Sequence, residues 1–456
     1  MHSSTVLTLG LAAAFSPLAA AHTVFTTLFV NDVNQGDGTC VRMAKQGSLS
    51  THPVSLDSSD AACGRNGNDA VAFTCHAPAG AKLTLLFRMW ADNSQPGSID
   101  PSHVGPMSIY LKQVSDMATT SATGPGWFKI WSEGYDSATG QWATEKLIAN
   151  NGLLSVNLPP GLPAGYYLAR HETITLQNVT NNKADAQVYV GCAQLFVQGT
   201  GSASVPQDKT VSIPGHLTGS EPALVFNPYA QDPATYPAFG PDVFFPAADG
   251  SGKKQAQQQQ QPTLTHTAGV IPAGCLLKNA NWCGVEVPDY ADEAACWASA
   301  ENCWSQLDAC YKTAPPSGSR GCKAWEEQKC KVLQRACESR RFPGPENKGQ
   351  KLDQAAVDGA APPGALPPAV NAGQRGTETP GGGNGGSARD GDGNGDGDGD
   401  VDGKEEEEEE EGGDRSTAAA ATLPPRPTPT RKAKSCSEGR RPRRLRRQGR
   451  RRSVNY

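Results

Sequence analysis

Thirteen cysteines partition this 456-residue chain before any secondary structure is considered. Four lie in the first half (Cys40, Cys63, Cys75 and Cys192), eight crowd between Cys275 and Cys337, and Cys436 stands alone. Even-numbered groups of this kind belong to an oxidising compartment, where they pair within a module. The N-terminus agrees. Val6 to Ala20 is a short apolar run of small residues ending in Ala19-Ala20-Ala21, which marks residues 1–21 as a secretory signal peptide. No later stretch reaches the roughly 20 apolar residues of a membrane span. The chain is therefore expected to be secreted and extracellular, with no membrane partner.

Residues 22–246 read as an all-β domain. Short apolar or alternating runs (Val24 to Val30, Leu83 to Trp90, Met107 to Leu111, Trp127 to Trp131, Leu153 to Leu158, Tyr166 to Leu176, Gln187 to Val197) are separated by turn clusters such as Asn34 to Gly38, Asn150-Asn151-Gly152 and Pro159-Pro160-Gly161. No stretch there sustains helical periodicity, and the rhythm suggests a β-sandwich with long surface loops. Its four cysteines should form two bridges, of three possible pairings. Asn178-Val179-Thr180 is an N-glycosylation sequon, meaningful in an exported chain.

A glutamine-rich linker over residues 247–270 leads to a different composition. In residues 271–338, Cys296-Trp297, Cys303-Trp304 and Cys310-Tyr311 recur every seven residues through a predicted helix, with Trp325, Cys330 and Cys337 on another. That spacing stacks side chains on one helical face. A segment this small and cysteine-rich is expected to be a mainly helical, disulfide-stapled module. Paired C-x-x-C knuckles are absent, which argues against zinc. Exposed tryptophans there would suit a carbohydrate-binding surface, and tryptophans packed on disulfides would leave the same pattern. Residues 339–456 dissolve into Gly, Pro and Ala, an Asp-Gly stretch, Glu405 to Glu411 and a basic end from Arg440 to Arg452, and read as a disordered tail. In an exported protein the basic end is a solvated tail, so no nucleic-acid partner is expected; the chain is read as a monomer.

The chemistry begins at the cleavage point. Cutting after Ala21 leaves His22 with two nitrogens to offer, a free α-amine and the imidazole Nδ1, close enough to chelate one metal ion. Inside a polypeptide the amine would be an amide. An α-amine titrates at roughly 7.7 to 8.0, so a divalent transition metal displaces its proton near neutrality, and Cu(II) gains most from nitrogen donors in a planar arrangement. His103, in the loop Gly97-Ser98-Ile99-Asp100-Pro101-Ser102-His103-Val104-Gly105-Pro106, is a second candidate ligand. Gln187-Val188-Tyr189-Val190-Gly191-Cys192 is a third: strand alternation puts Gln187 and Tyr189 on one face and Cys192 on the other. No pair of opposed acid/base carboxylates, as glycoside hydrolysis needs, can be nominated.

Taken together, the run Val24 to Cys40 after His22, the Ser102 to Pro106 loop, Gly126-Trp127-Phe128-Lys129-Ile130, and Gln187 to Cys192 followed by Ala193-Gln194 resemble the fungal lytic polysaccharide monooxygenases of auxiliary activity family 9. The resemblance implies an immunoglobulin- or fibronectin-like sandwich whose flat face bears one copper ion. His22 would chelate it, His103 would supply the third nitrogen, Tyr189 the distant axial oxygen, and Gln187 a nearby donor towards bound oxygen species. It also implies Cys63 paired with Cys192 and Cys40 with Cys75, and Tyr236 as a surface ring that stacks on glucose. The implied activity is oxidation of cellulose or a related β-glucan at C1 or C4, with an external electron donor and O2 or H2O2. One position departs: where much of the family carries a histidine beside the copper, this chain carries Gln177. An amide donates a hydrogen bond but does not titrate. That change keeps open an alternative of another class, a secreted copper- or glycan-binding protein of the same fold.

Overall fold

The computed structural model describes residues 22–248 except 46 and 182, then 264–358 and 365–370. The expected signal peptide, most of the expected linker and the acidic and basic stretches near the end lie outside the described residues. No described helix is long and apolar enough to cross a membrane.

Two β-sheets make the body of the first domain. One is four-stranded and antiparallel, in the order β10 (Leu153–Asn157), β5 (Lys82–Arg88), β1 (Val24–Val30) and β2 (Val33–Asp37). The other runs β13 (Thr210–Ile213), β7 (Gly124–Glu133), β6 (Met107–Val114), β11 (Pro163–Thr175), β12 (Gln187–Thr200) and β3 (Val41–Arg42), with β4 (Cys75–Pro78) parallel to β12. A small hairpin of β8 (Tyr135–Asp136) and β9 (Gln141–Trp142) stands apart. Alternation decides which side chains go inside. Phe25 and Leu28 of β1 and Leu83, Leu85 and Phe87 of β5 meet Ile109 and Leu111 of β6 and Leu195 and Val197 of β12 in one core. Burying each such side chain is worth about 1.5–3 kcal/mol.

Local details differ from the sequence reading. The hairpin turn between β1 and β2 falls at Asn31 and Asp32, both at positive φ, and the predicted turn Asn34 to Gly38 is mostly strand β2. Asn and Asp tolerate the left-handed backbone that a two-residue hairpin turn requires. Short helices α1 (Asp60–Cys63) and α2 (Ala143–Ala149) also form; α2 is capped where Glu145 Oε2 accepts from the Trp142 N–H at 2.7 Å. Cys40 is bridged to Cys75, and Cys63 to Cys192.

In the second region the hairpin β14 (Cys275–Asn279) and β15 (Trp282–Val285) is closed by a bridge from Cys275 to Cys283. Helix α3 (Glu293–Thr313) packs antiparallel to α4 (Arg320–Trp325) and α5 (Lys331–Glu338) through three rungs: Cys296 to Cys337, Cys303 to Cys330, Cys310 to Cys322. The α3 cysteines are seven apart, but Cys322 and Cys330 are eight apart. The π-helical turn Glu326–Cys330 absorbs the extra residue and keeps the rungs in line. Trp325 is fully buried at the centre and donates to Cys303 O.

This region extends further than residue 338. Leu352 N donates to Leu276 O, and α6 (Gln354–Asp358) places Gln354 Oε1 on Lys278 N, so residues 339–358 do not belong to a disordered tail. Residues 264–270, expected as linker, also pack: Thr267 and Ala268 N–H groups donate to the Tyr166 hydroxyl. The two regions meet at β2. Asp37 there accepts from Arg88 at 2.6 Å and from Arg320 at 3.0 Å, while Asn281 bonds Gly38 O and Cys40 N.

Candidate metal centre

The ends of β1, the β5–β6 loop and β12 converge at one end of the sandwich. His22 sits just before β1, and the neighbouring Thr23 hydroxyl donates to Ser98 O at 2.8 Å, tying the chain start to the loop that carries His103. That loop is shaped by Asp100, whose carboxylate accepts from the N–H and hydroxyl of Ser102. It is sewn to β11 by Leu176 N to Val104 O and Ile174 N to Pro106 O. Gly105 permits that approach, since a Cβ there would lie 2.0 Å from Ile174 O. His103 is 7 % exposed; its Nδ1 faces the Ser102 hydroxyl at 3.2 Å, and Nε2 has no partner among the described residues.

Tyr189 lies between the two imidazoles, its ring 6.1 Å from that of His22 and 6.2 Å from that of His103. Burial raises its phenol well above the ordinary value, so it stays protonated, and it donates to Gln187 Oε1 at 2.7 Å. Gln177 Nε2 donates to the same oxygen at 2.8 Å. With its oxygen held by two donors, Gln187 keeps its amide Nε2 without a protein acceptor among the described residues. The sequence-predicted set His22, His103, Tyr189, Gln187 and Gln177 is thus brought together.

The donor chemistry fits a metal that prefers nitrogen. His22 Nδ1 is buried with no hydrogen-bond partner, a cost the fold bears unless something else occupies that lone pair. Burial, aided by nearby His52 and His103, lowers the His22 pKa; burial lowers that of His103 as well. Both imidazoles are therefore held neutral, the form that ligates. Among the described residues no three His, Cys, Asp or Glu side chains gather as a conventional metal cluster. Two imidazoles, joined by the α-amine that cleavage after Ala21 would expose, would make a different kind of site.

Other residues fall elsewhere. His171, six positions before Gln177, is buried in the sandwich core with its ring edge-on to Phe25 and Phe87, and burial pushes its pKa down to about 3. Gly191 leaves it room, since a Cβ there would sit 3.1 Å from Nε2. Tyr236 is not the free surface ring that was expected. It is half-buried, packs edge-on against Trp142 and Phe226, and donates its hydroxyl to Ala223 O. The exposed tyrosine of that loop is Tyr229, 67 % exposed, next to Asn227, which bonds Asn181 in the loop that follows Gln177. Asn178 is half-buried in that same loop. His52 was missed altogether: its ring stacks on His22 with centroids 4.3 Å apart and planes 20° apart. It comes from a Ser- and Thr-rich loop with no periodic signal.

Residues 22–236 match the family model of Auxiliary Activity family 9, formerly GH61. The chain is 48 % identical over 342 residues to AA9 family lytic polysaccharide monooxygenase C of Aspergillus tamarii, covering 74 % of this chain and 90 % of that protein. It is 45 % identical over 347 residues to AA9 family lytic polysaccharide monooxygenase H of Botryotinia fuckeliana, covering 75 % of this chain and 78 % of that one. Both alignments are longer than the family segment, so the likeness runs beyond the sandwich. The chain belongs to Auxiliary Activity family 9, the copper-dependent lytic polysaccharide monooxygenases.

Proposed function

We propose that this chain, cleaved after Ala21 and secreted, is a one-copper enzyme that cuts cellulose or a related β-glucan by oxidising C1 or C4 beside the glycosidic bond. The observation that carries this reading is the convergence of His22, His103 and Tyr189 with the His22 Nδ1 buried and unpartnered. His22 would hold the ion through its α-amine and Nδ1, and His103 through an imidazole nitrogen. Bound copper supplies one-electron redox chemistry with an open position for an oxygen co-substrate. The immunoglobulin-like sandwich serves as a rigid mount that brings the ligands to its end.

The remaining roles belong to the protein. Tyr189, neutral and hydrogen-bonded to Gln187, would turn its phenol oxygen towards the ion without competing as an anion. Gln187 presents its amide N–H towards the co-substrate, and Gln177 holds Gln187 in that orientation. Neither amide releases a proton, so protons must arrive from solvent or from the peroxide itself. Tyr229, rather than Tyr236, provides the exposed ring for a pyranose face. A glycan on Asn178 would have to point clear of the substrate. In the balanced reaction one C–H bond becomes C–OH. With O2, two electrons from an external donor and two protons are consumed and the second oxygen leaves as water; with H2O2, the peroxide supplies the oxygen and leaves as water.

The test is incubation of the copper-loaded chain with amorphous cellulose and ascorbate, followed by mass spectrometry. Aldonic acids or C4-oxidised oligosaccharides are expected. If no oxidised product forms from any β-glucan while copper is stoichiometrically bound, the chain is a copper- or glycan-binding protein instead.

A further inference from the structure

We infer that His52 is a positioning residue for the amino-terminal ligand: its ring lies flat on the His22 imidazole and fixes the rotation that aims Nδ1 at the metal. The inference rests on the copper reading of this site. Metal-bound histidines ordinarily have their second ring nitrogen held by a carboxylate, carbonyl or water, which sets the ring's orientation. His103 has such a restraint in Ser102. His22 has no comparable restraint from a side chain: its Nδ1 is buried without a hydrogen-bond partner, and no hydrogen bond from a described residue holds the ring. Its backbone is anchored through Thr23, yet the side chain of a chain-terminal residue keeps its own torsional freedom. Tyr189 does not limit that freedom by stacking, since its ring is tilted 54° to that of His22 at 6.1 Å. The parallel contact at 4.3 Å and 20° is with His52.

His52 is itself held firmly enough for the task. Its carbonyl and that of Pro53 accept from Arg65 Nη1 at 3.3 and 3.0 Å. Two residues on, Val54 N donates to Val188 O at 2.8 Å in an antiparallel bridge, beside Tyr189 on β12. The same loop is fastened to β12 again by the bridge from Cys63 to Cys192. The strand that carries Tyr189 therefore also anchors the loop that presses on the first histidine. A flat ring is what the contact requires; a nitrogen is not.

The test compares His52→Ala with His52→Phe in the mature full chain, by Cu(II) titration and by the electron paramagnetic resonance spectrum of the bound ion. Loss of an outer partner of a metal-ligating histidine typically weakens binding about 10- to 100-fold, so His52→Ala should bind Cu(II) at least about tenfold more weakly, with a shifted spectrum. His52→Phe keeps the stack and should stay within about threefold of the parent, with the parent's spectrum. Equal losses in both variants would show that the nitrogen matters and overturn the positioning role. No change in either would overturn it as well. The parent and His22→Ala serve as controls for the underlying reading: failure of the parent itself to bind Cu(II) sinks the copper site, whereas a copper-binding parent with an indifferent His52 sinks only this inference.

Discussion

Two polar clusters on neighbouring strands, one on β11 and one on β12, have been put to opposite uses. On the outer face of the sheet, Glu172 accepts from Arg170 at 2.7 Å and lies 2.8 Å from His216, with all three side chains at most 1 % exposed. Arg170 also donates twice to Ala61 O. At the strand ends, His22, His103 and Tyr189 come together with the His22 Nδ1 buried and without a hydrogen-bond partner. One cluster ties its charges to one another and is closed in that sense, although Arg170 Nη1, Glu172 Oε1 and His216 Nδ1 have no hydrogen-bond partner among the described residues. The other has no ion pair of its own and leaves the His22 Nδ1 lone pair buried without a partner, where a ligand can take it. Burial acts on both: it would raise the Glu172 carboxyl, but Arg170 and His216 more than offset it and hold the group below the carboxylate range. At the open cluster no countercharge opposes burial strongly, and both imidazoles stay neutral.

Breaking the closed cluster should produce the largest change in stability. Glu172→Ala strands a buried guanidinium and is expected to cost about 3–5 kcal/mol in chemical unfolding, while Cu(II) affinity of the folded protein stays at the parent value. A fall in affinity equal to that of a ligand variant would mean the two clusters are coupled. His22→Ala should do the reverse: Cu(II) binding weaker by more than about 100-fold, roughly 2.7 kcal/mol, with unfolding of the metal-free protein within about 0.5 kcal/mol of the parent.

A third histidine sharpens the contrast through pH. His171 is neutral and buried, with its folded pKa near 3 against an unfolded value of about 6.5. Its contribution is complete above pH 6.5 and shrinks as pH falls towards 3, because the unfolded chain takes up the proton first. Between pH 6.5 and 5 the loss should be about 2 kcal/mol, and His171→Leu should remove about that much of the pH dependence. An unchanged slope would refute the buried neutral assignment. The smallest effect is expected at Gln177→Ala, which takes one donor from Gln187. Glucan oxidation should slow about fivefold, in line with roughly 1 kcal/mol for one hydrogen bond, and Cu(II) affinity should hold.

The candidate site residues were legible because each sits in a compact local motif: His22 after the expected cleavage point, His103 in a Gly/Pro/Ser loop, Gln187 and Tyr189 at strand period. His52 was not, because its contact with His22 is made by a bridge from Val54 to Val188 across distant sequence, in a loop without periodicity. Tyr236 and Tyr229 could not be told apart from composition, since both lie in the same Pro-rich loop and only packing against Trp142 and Phe226 half-buries one while the other stays exposed. Arg170 and Glu172 lie in the strand read from Tyr166 to Leu176, and alternation alone does not reveal that they form a fully buried pair. The strands themselves were plain from alternation. Helix α2 was not, being only seven residues long and marked mainly by its cap.

The claim on which the rest depends is that a histidine released at the amino terminus shares one metal ion with His103. The decisive measurement is Cu(II) titration of the secreted chain after its first residue has been read by N-terminal sequencing. The account predicts a chain that begins at His22 and binds one Cu(II) with a nitrogen-dominated resonance spectrum. A chain that begins at another residue, or one that begins at His22 and does not bind the ion, would contradict it.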